Sequence, residues 1–104
     1  TNHYLHPTMQ AIESEPDELV ATRVRFFRAQ RLLRLVECHS LDSLRAILKD
    51  HVNYPDSICN HAENDLDPLD REKTITSLIM DLSERKLFAC WGNPCREEYH
   101  EYRL

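Results

Sequence analysis

Residues 74–91 read T-I-T-S-L-I-M-D-L-S-E-R-K-L-F-A-C-W, two apolar-rich runs separated by a short polar S-E-R. That pattern predicts a β-hairpin. On its first strand Ile75, Ser77 and Ile79 share one face, and Thr76, Leu78 and Met80 share the other. On the second strand Phe88 and Cys90 stand opposite to Leu87, Ala89 and Trp91. Apolar groups lie on both faces, so the sheet is expected to be covered on both sides. Residues 99–104, Y-H-E-Y-R-L, add a candidate edge strand.

The cover on one side comes from upstream. Residues 18–38 carry Leu19, Phe26, Ala29, Leu33 and Val36 at steps of three and four, with Val20, Val24, Phe27 and Leu35 widening the stripe. This predicts a helix that buries a broad face. Pro16 suits its first turn, and Asp17 and Glu18 suit the positive end of its dipole. Ser40 reads as an N-cap with Asp42 in the first turn of a second helix over 41–51, whose apolar face is Leu41, Leu44, Ile47 and Leu48. The two helices join almost without a loop and should form a corner or hairpin. Residues 1–9 read as a strand, 10–17 as a connector, 53–57 as a turn, 57–61 as a short strand and 62–73 as an exposed polar loop. Two helices on one side cannot cover both faces of the hairpin. A second sheet or another chain must supply the rest.

The 104 residues amount to one domain or a piece of one, and the class is α+β. A net charge of −5 with 30% charged residues gives no case for nucleic-acid binding. No apolar run approaches the ~18 residues that span a membrane. A single glycine, Gly92, leaves no P-loop, G-x-G-x-x-G or G-x-S-x-G.

Four cysteines, Cys38, Cys59, Cys90 and Cys95, form no C-x-x-C pair. Free thiols of a reducing compartment are the favoured reading, ahead of disulfides and of a metal set. With no N-x-S/T sequon, the location expected is cytoplasmic. The histidines are His3, His6, His39, His51, His61 and His100. His39 directly follows Cys38, and His61 lies in C-N-H with Cys59. Residues that close along the chain make poor co-ligands, so no metal site is expected, and no cofactor.

Two further features bear on function. Arg23, Arg25, Arg28, Arg31 and Arg34 share one helix. They read as a solvated face paired to nearby acids, with an anion-binding surface as the alternative. Thr1 raises the possibility of an N-terminal nucleophile with its own α-amine as base. The strand–turn–strand that such a residue needs behind it is missing, which disfavours that reading.

Several phrases, in order, resemble one family. The opening T-N-H-Y-L-H-P-T-M resembles a strand of the acyl-coenzyme A:6-aminopenicillanic acid acyltransferase family, cysteine-type N-terminal nucleophile hydrolases. T-R-V-R-F-F-R-A-Q-R-L-L is similar to the arginine-rich helix that follows. L-R-A-I-L-K-D-H and Y-P-D-S-I-C-N-H are similar to its next helix and short strand. T-I-T-S-L-I-M-D-L-S-E-R-K-L-F-A-C-W-G-N-P-C-R-E-E-Y-H-E-Y is similar to its C-terminal hairpin and tail.

The resemblance implies that residues 1–104 are the C-terminal part of one αββα sandwich domain. The missing cover of the hairpin is then the other sheet. It implies an autoprocessed enzyme whose nucleophile is a cysteine exposed by self-cleavage, far upstream, and matched by none of the four cysteines here. It implies attack on an amide or thioester to give an acyl-enzyme, with water or an amine taking the acyl group; β-alanyl amines are among the family's substrates. By the motif match Asn2 takes the role of an oxyanion-hole donor. Many members carry an arginine after the I-C pair, near the substrate pocket. Here that place holds Asn60, followed by His61, and both are candidate substrate-binding residues. A neutral amide in place of a bidentate cation argues against an acidic, penicillin-like substrate.

The reading is therefore the C-terminal portion of an amidohydrolase or N-acyltransferase. Its partners would be the remainder of the same enzyme and a small-molecule amide or acyl donor, with neither nucleic acid nor membrane. The rival is a non-catalytic helical module whose basic face binds acidic partners.

Overall fold

A computed structural model describes residues 2–14, 19–62 and 72–104. The elements run α1 (Pro7–Gln10), α2 (Val20–Arg34), α3 (Leu41–Leu48), β1 (Thr76–Asp81), β2 (Lys86–Trp91) and β3 (His100–Arg103). The three strands form one antiparallel sheet in the order β1-β2-β3, and the fold class is α+β. No described helix is long and apolar enough to cross a membrane.

The hairpin register pairs Ser77 with Cys90 and Ile79 with Phe88. These four side chains share one face and are buried. Arg45 of α3 lies over that face, its guanidinium carbon 5.6 Å from the Phe88 ring centre and 5.1 Å from that of Tyr99. The Tyr99 hydroxyl meets Ser77 Oγ at 2.6 Å. Between β1 and β2 the turn is closed by the Glu84 N–H donating to Asp81 Oδ1 at 3.0 Å, with Arg85 at φ 55. Gly92 ends β2 at φ 94, a backbone that side chains rarely tolerate, and its N–H bonds Ile75 O at 2.8 Å. The chain can then double back through residues 93–97 into β3.

The opposite face differs from the expectation. Leu78 (50%), Met80 (63%), Trp91 (65%) and Tyr102 (46%) stand exposed, so among the described residues only one side of the sheet is covered. The broad buried stripe expected on the first helix is also corrected. On α2 Val20, Val24, Phe27 and Leu33 are exposed, and Thr22 is the buried residue. α3 packs between α2 and β1, and no other described element lies against the rest of that stripe.

Both helices are shorter than their apolar patterns. α2 stops at Arg34 because His39 reaches back, Nε2 donating to Leu33 O at 2.8 Å. That contact takes one of the free carbonyls of the last turn. α3 opens with a reciprocal cap: Ser43 N–H to Ser40 Oγ at 3.1 Å and Ser40 N–H to Ser43 Oγ at 2.9 Å. It stops at Leu48, and Asp50 is held by Arg28 of α2, with Nε to Oδ2 at 3.0 Å and Nη2 to Oδ1 at 2.8 Å.

Among the described residues two expected strands are absent. Residues 7–10 are helical, because His6 caps them (Thr8 N–H to Nδ1, 3.3 Å) and Pro7 sits at the first helical position. None of the described strands pairs with residues 2–6. Residues 57–61 make no ladder. Their backbone bonds go to loop partners instead: Cys59 N–H to Asp50 O, His61 N–H to Pro55 O and Thr74 N–H to Asn60 O, at 3.0–3.1 Å. The helix entry at residues 16–18, most of the 62–73 loop and Thr1 lie outside the described residues.

Candidate functional site

A cleft of about 630 Å³ opens between the N-terminal segment, α2, the 58–60 segment and β1. That is the size range of small-molecule sites. Its walls include Asn2, Arg25, Asn60 and Thr74. Two residues that the sequence marked, Asn2 and Asn60, are thus brought to one cavity from points 58 positions apart in the chain.

Asn2 is fixed at two points. Its N–H donates to Thr22 Oγ1 at 2.7 Å, and its Oδ1 accepts from Arg25 Nη2 at 3.1 Å. Thr22 is buried and also meets His3 Nδ1 at 3.1 Å. A guanidinium only donates, so the oxygen of the Asn2 amide must be the atom facing Arg25. Its Nδ2 group is left as the donor that this side chain can offer elsewhere.

Asn60 is buried. Its N–H donates to Thr74 Oγ1 at 2.9 Å, and its carbonyl accepts from Asn93 Nδ2 at 2.7 Å. Its Oδ1 has no hydrogen-bond partner among the described residues, and neither has Arg25 Nη1. A buried acceptor and a buried donor therefore belong to residues lining the same cleft, and each calls for an explanation.

Of the arginine run, Arg23 pairs with Glu13 at 3.5 Å and Arg28 with Asp50. The Arg28 hydrogen bonds hold the Asp50 carboxyl below its ordinary range. Arg25 is the member that reaches the cleft, and one helix of five similar arginines gave no signal to single it out.

His61 does not line the cleft. It belongs to a second constellation behind Asn60, made of His51, Cys59, His61 and Cys95. His51 Nε2 and His61 Nε2 are 3.1 Å apart. Cys59 Sγ lies 3.5 Å from His61 Nε2 and 3.6 Å from Cys95 Sγ, and Cys95 Sγ lies 3.4 Å from His61 Nε2. All four donor atoms fall within 4.8 Å of one another. Asn93 Nδ2 donates to Cys59 Sγ at 3.4 Å. Residues as close in the chain as Cys59 and His61 are expected to make poor co-ligands. The bends through residues 56–59 nevertheless bring Cys59 Sγ and His61 Nε2 to one point. Cys38 and Cys90 lie outside this group. Cys90 is fully buried, and burial, followed by the charge of Glu97, pushes its thiol up, the wrong direction for a nucleophile.

The model of the acyl-coenzyme A:6-aminopenicillanic acid acyl-transferase family matches residues 1–96. No curated protein matches the chain.

Proposed function

Because the chain belongs to the acyl-coenzyme A:6-aminopenicillanic acid acyltransferase family, we propose that it forms the oxyanion-binding and substrate-binding portion of an amidohydrolase or N-acyltransferase. The nucleophile is a cysteine outside residues 1–104, freed by self-cleavage. Its thiolate attacks the acyl carbonyl of a small amide, and the carbonyl electrons move onto oxygen. The intermediate collapses, the C–N bond breaks, and the amine leaves with a proton. Water or a second amine then attacks the thioester and releases the thiolate.

Asn2 serves the step in which charge develops on oxygen. The observation that carries this role is the Arg25 Nη2 to Asn2 Oδ1 bond of 3.1 Å. It holds the amide with its oxygen anchored, leaving Nδ2–H to meet the oxyanion. A donor held before the reaction stabilises charge without reorganising. Arg25 is then a positioning residue rather than a substrate cation.

Asn60 shapes the choice of substrate. Its buried Oδ1 is an acceptor, which suits an N–H or ammonium group on the acyl portion, as in a β-alanyl amine, and disfavours a carboxylate. The remainder of the same enzyme packs on the exposed Leu78, Met80, Trp91 and Tyr102 face as the second sheet of a sandwich. The rival reading, a basic helix face for acidic partners, loses support because Arg23, Arg25 and Arg28 are already engaged within the chain.

The test is kinetic, in the full-length enzyme. Asn2→Ala should lower kcat by on the order of 10²–10³, the usual loss for one oxyanion donor, with little change in KM. Thr1→Ala should cost far less. A Thr1 defect larger than the Asn2 defect overturns the proposal and restores the threonine nucleophile.

A further inference from the structure

We infer that His51, Cys59, His61 and Cys95 form a structural zinc site. This inference is independent of the acyl-transfer reading. It rests on four side-chain donors that converge from two parts of the chain, the 51–61 segment and the turn after β2.

Four of the six distances between the donor atoms match a tetrahedral zinc site, and the other two, from His51 to Cys59 and to Cys95, are no longer than 4.8 Å. Zinc binds sulfur at about 2.3 Å and imidazole nitrogen at about 2.0–2.1 Å, so its tetrahedral edges are about 3.8 Å for S···S, 3.5 Å for S···N and 3.3 Å for N···N. The edges found here are 3.6 Å for Cys59–Cys95, 3.5 and 3.4 Å for His61 to Cys59 and Cys95, and 3.1 Å for His51–His61. Each lies within about 0.2 Å of the zinc value.

The chemistry selects the ion. Two thiolates and two neutral imidazoles around a divalent cation sum to zero charge, which suits a place where Cys59 and His61 are 0% and 6% exposed. Mixed sulfur and nitrogen in a closed tetrahedron favours zinc over magnesium, calcium or manganese, and with four protein ligands leaves no open position for catalysis. The surroundings fit as well. Asn93 Nδ2 donates to Cys59 Sγ at 3.4 Å, the kind of second contact that orients a ligating thiolate.

The site has a mechanical consequence. Among the described residues the largely buried 57–61 segment makes no strand ladder, and its backbone bonds go to loop partners. Zinc would tie it to the turn at Cys95 from both sides of Asn60, since Cys59 and His61 flank that residue. The wall of the cleft would then be set by the metal.

The experiment is metal analysis of the full-length protein purified without chelator, followed by exchange into cobalt. The expected result is one zinc per chain and, with cobalt, a thiolate charge-transfer band together with visible bands of a tetrahedral ion. His51→Ala and Cys95→Ser change exposed positions and so keep the fold testable. Each should abolish the tetrahedral cobalt spectrum, Asn93→Ala should weaken affinity by about 10–100-fold, and Cys38→Ser should change nothing. Three results overturn the inference: no metal bound in zinc excess, a Cys59–Cys95 disulfide in the purified protein, or an unchanged cobalt spectrum in both ligand variants.

Discussion

The segment 57–61 and the helix α2 invert the usual order of burial. Ser57, Cys59, Asn60 and His61, mostly polar and without regular structure, are 1%, 0%, 7% and 6% exposed. Val20, Phe27 and the following Leu35, apolar and on or beside a fifteen-residue helix, are 62%, 64% and 71% exposed. The polar segment is inside because its buried groups, Asn60 Oδ1 excepted, have specific partners: Ser57 Oγ donates to Cys59 O at 2.6 Å, and Asn93 holds both Asn60 O and Cys59 Sγ. The apolar stripe is outside because hydrophobic burial is non-directional and needs only a surface to cover it. Among the described residues that surface is missing. Burial in this chain therefore reports which partners are present, and hydrophobicity reports which partners are still needed.

The sharpest way to break this comparison is to charge the outer face of the sheet. In the full-length protein Leu78→Glu should destabilise by on the order of 3–5 kcal/mol, the cost of a buried charge without a partner. Denaturant midpoints for wild type and variant would decide. A change within about 0.5 kcal/mol, usual for a surface site, would mean that the face stays in water and that no second sheet packs on it.

A smaller effect is expected inside. Ser57→Ala removes the donor to Cys59 O in a site closed to water, and a buried group left unsatisfied costs about 1–3 kcal/mol. If the variant were as stable as wild type, the polar segment would be held by something other than its hydrogen bonds. The zinc site would then carry more of that role, and chelation should lower the midpoint of Ser57→Ala further than that of wild type.

The same comparison explains what could be read from the sequence. The hairpin was legible because alternation is local: Ser77, Ile79, Phe88 and Cys90 reach one face whatever else the chain does. Asn2 and Asn60 were marked by resemblance, and no periodicity places them in one cleft. Arg25 was hidden among five arginines, since what distinguishes it is contact with a residue 23 positions away. At the end of the expected 1–9 strand, residues 7–10 turn helical because a local cap, His6 with Pro7, outweighs an extended preference where none of the described strands takes the backbone bonds. The His51, Cys59, His61 and Cys95 group is not legible in the sequence for two reasons. Cys95 lies 36 residues from Cys59, and the short Cys59–His61 spacing favours co-ligation only once the bends of the 56–59 segment are known.

The smallest effect expected is electrostatic, and it sits where the two regions meet. Arg28 of the exposed helix grips Asp50, which leads into the buried segment, through two hydrogen bonds of 3.0 and 2.8 Å. Those bonds lower the folded-state pKa of Asp50 below its ordinary 3.8. A carboxyl whose pKa is depressed by folding binds its proton more readily when unfolded. Its contribution to stability is therefore complete above the unfolded value and is lost as pH falls through the folded one. Both partners keep some contact with solvent, so water screens the pair and the loss should be less than that of Ser57→Ala. Other carboxylates titrate in the same acid range, so the wild-type curve alone is not diagnostic. The measurement is the difference in denaturant midpoint between wild type and Asp50→Asn as pH falls from ~5 toward ~2. That difference should be constant at the upper end and shrink through the lower part of the range. A difference that does not change with pH would show that Asp50 is worth the same protonated or charged, and that α2 is held to the buried segment by packing alone.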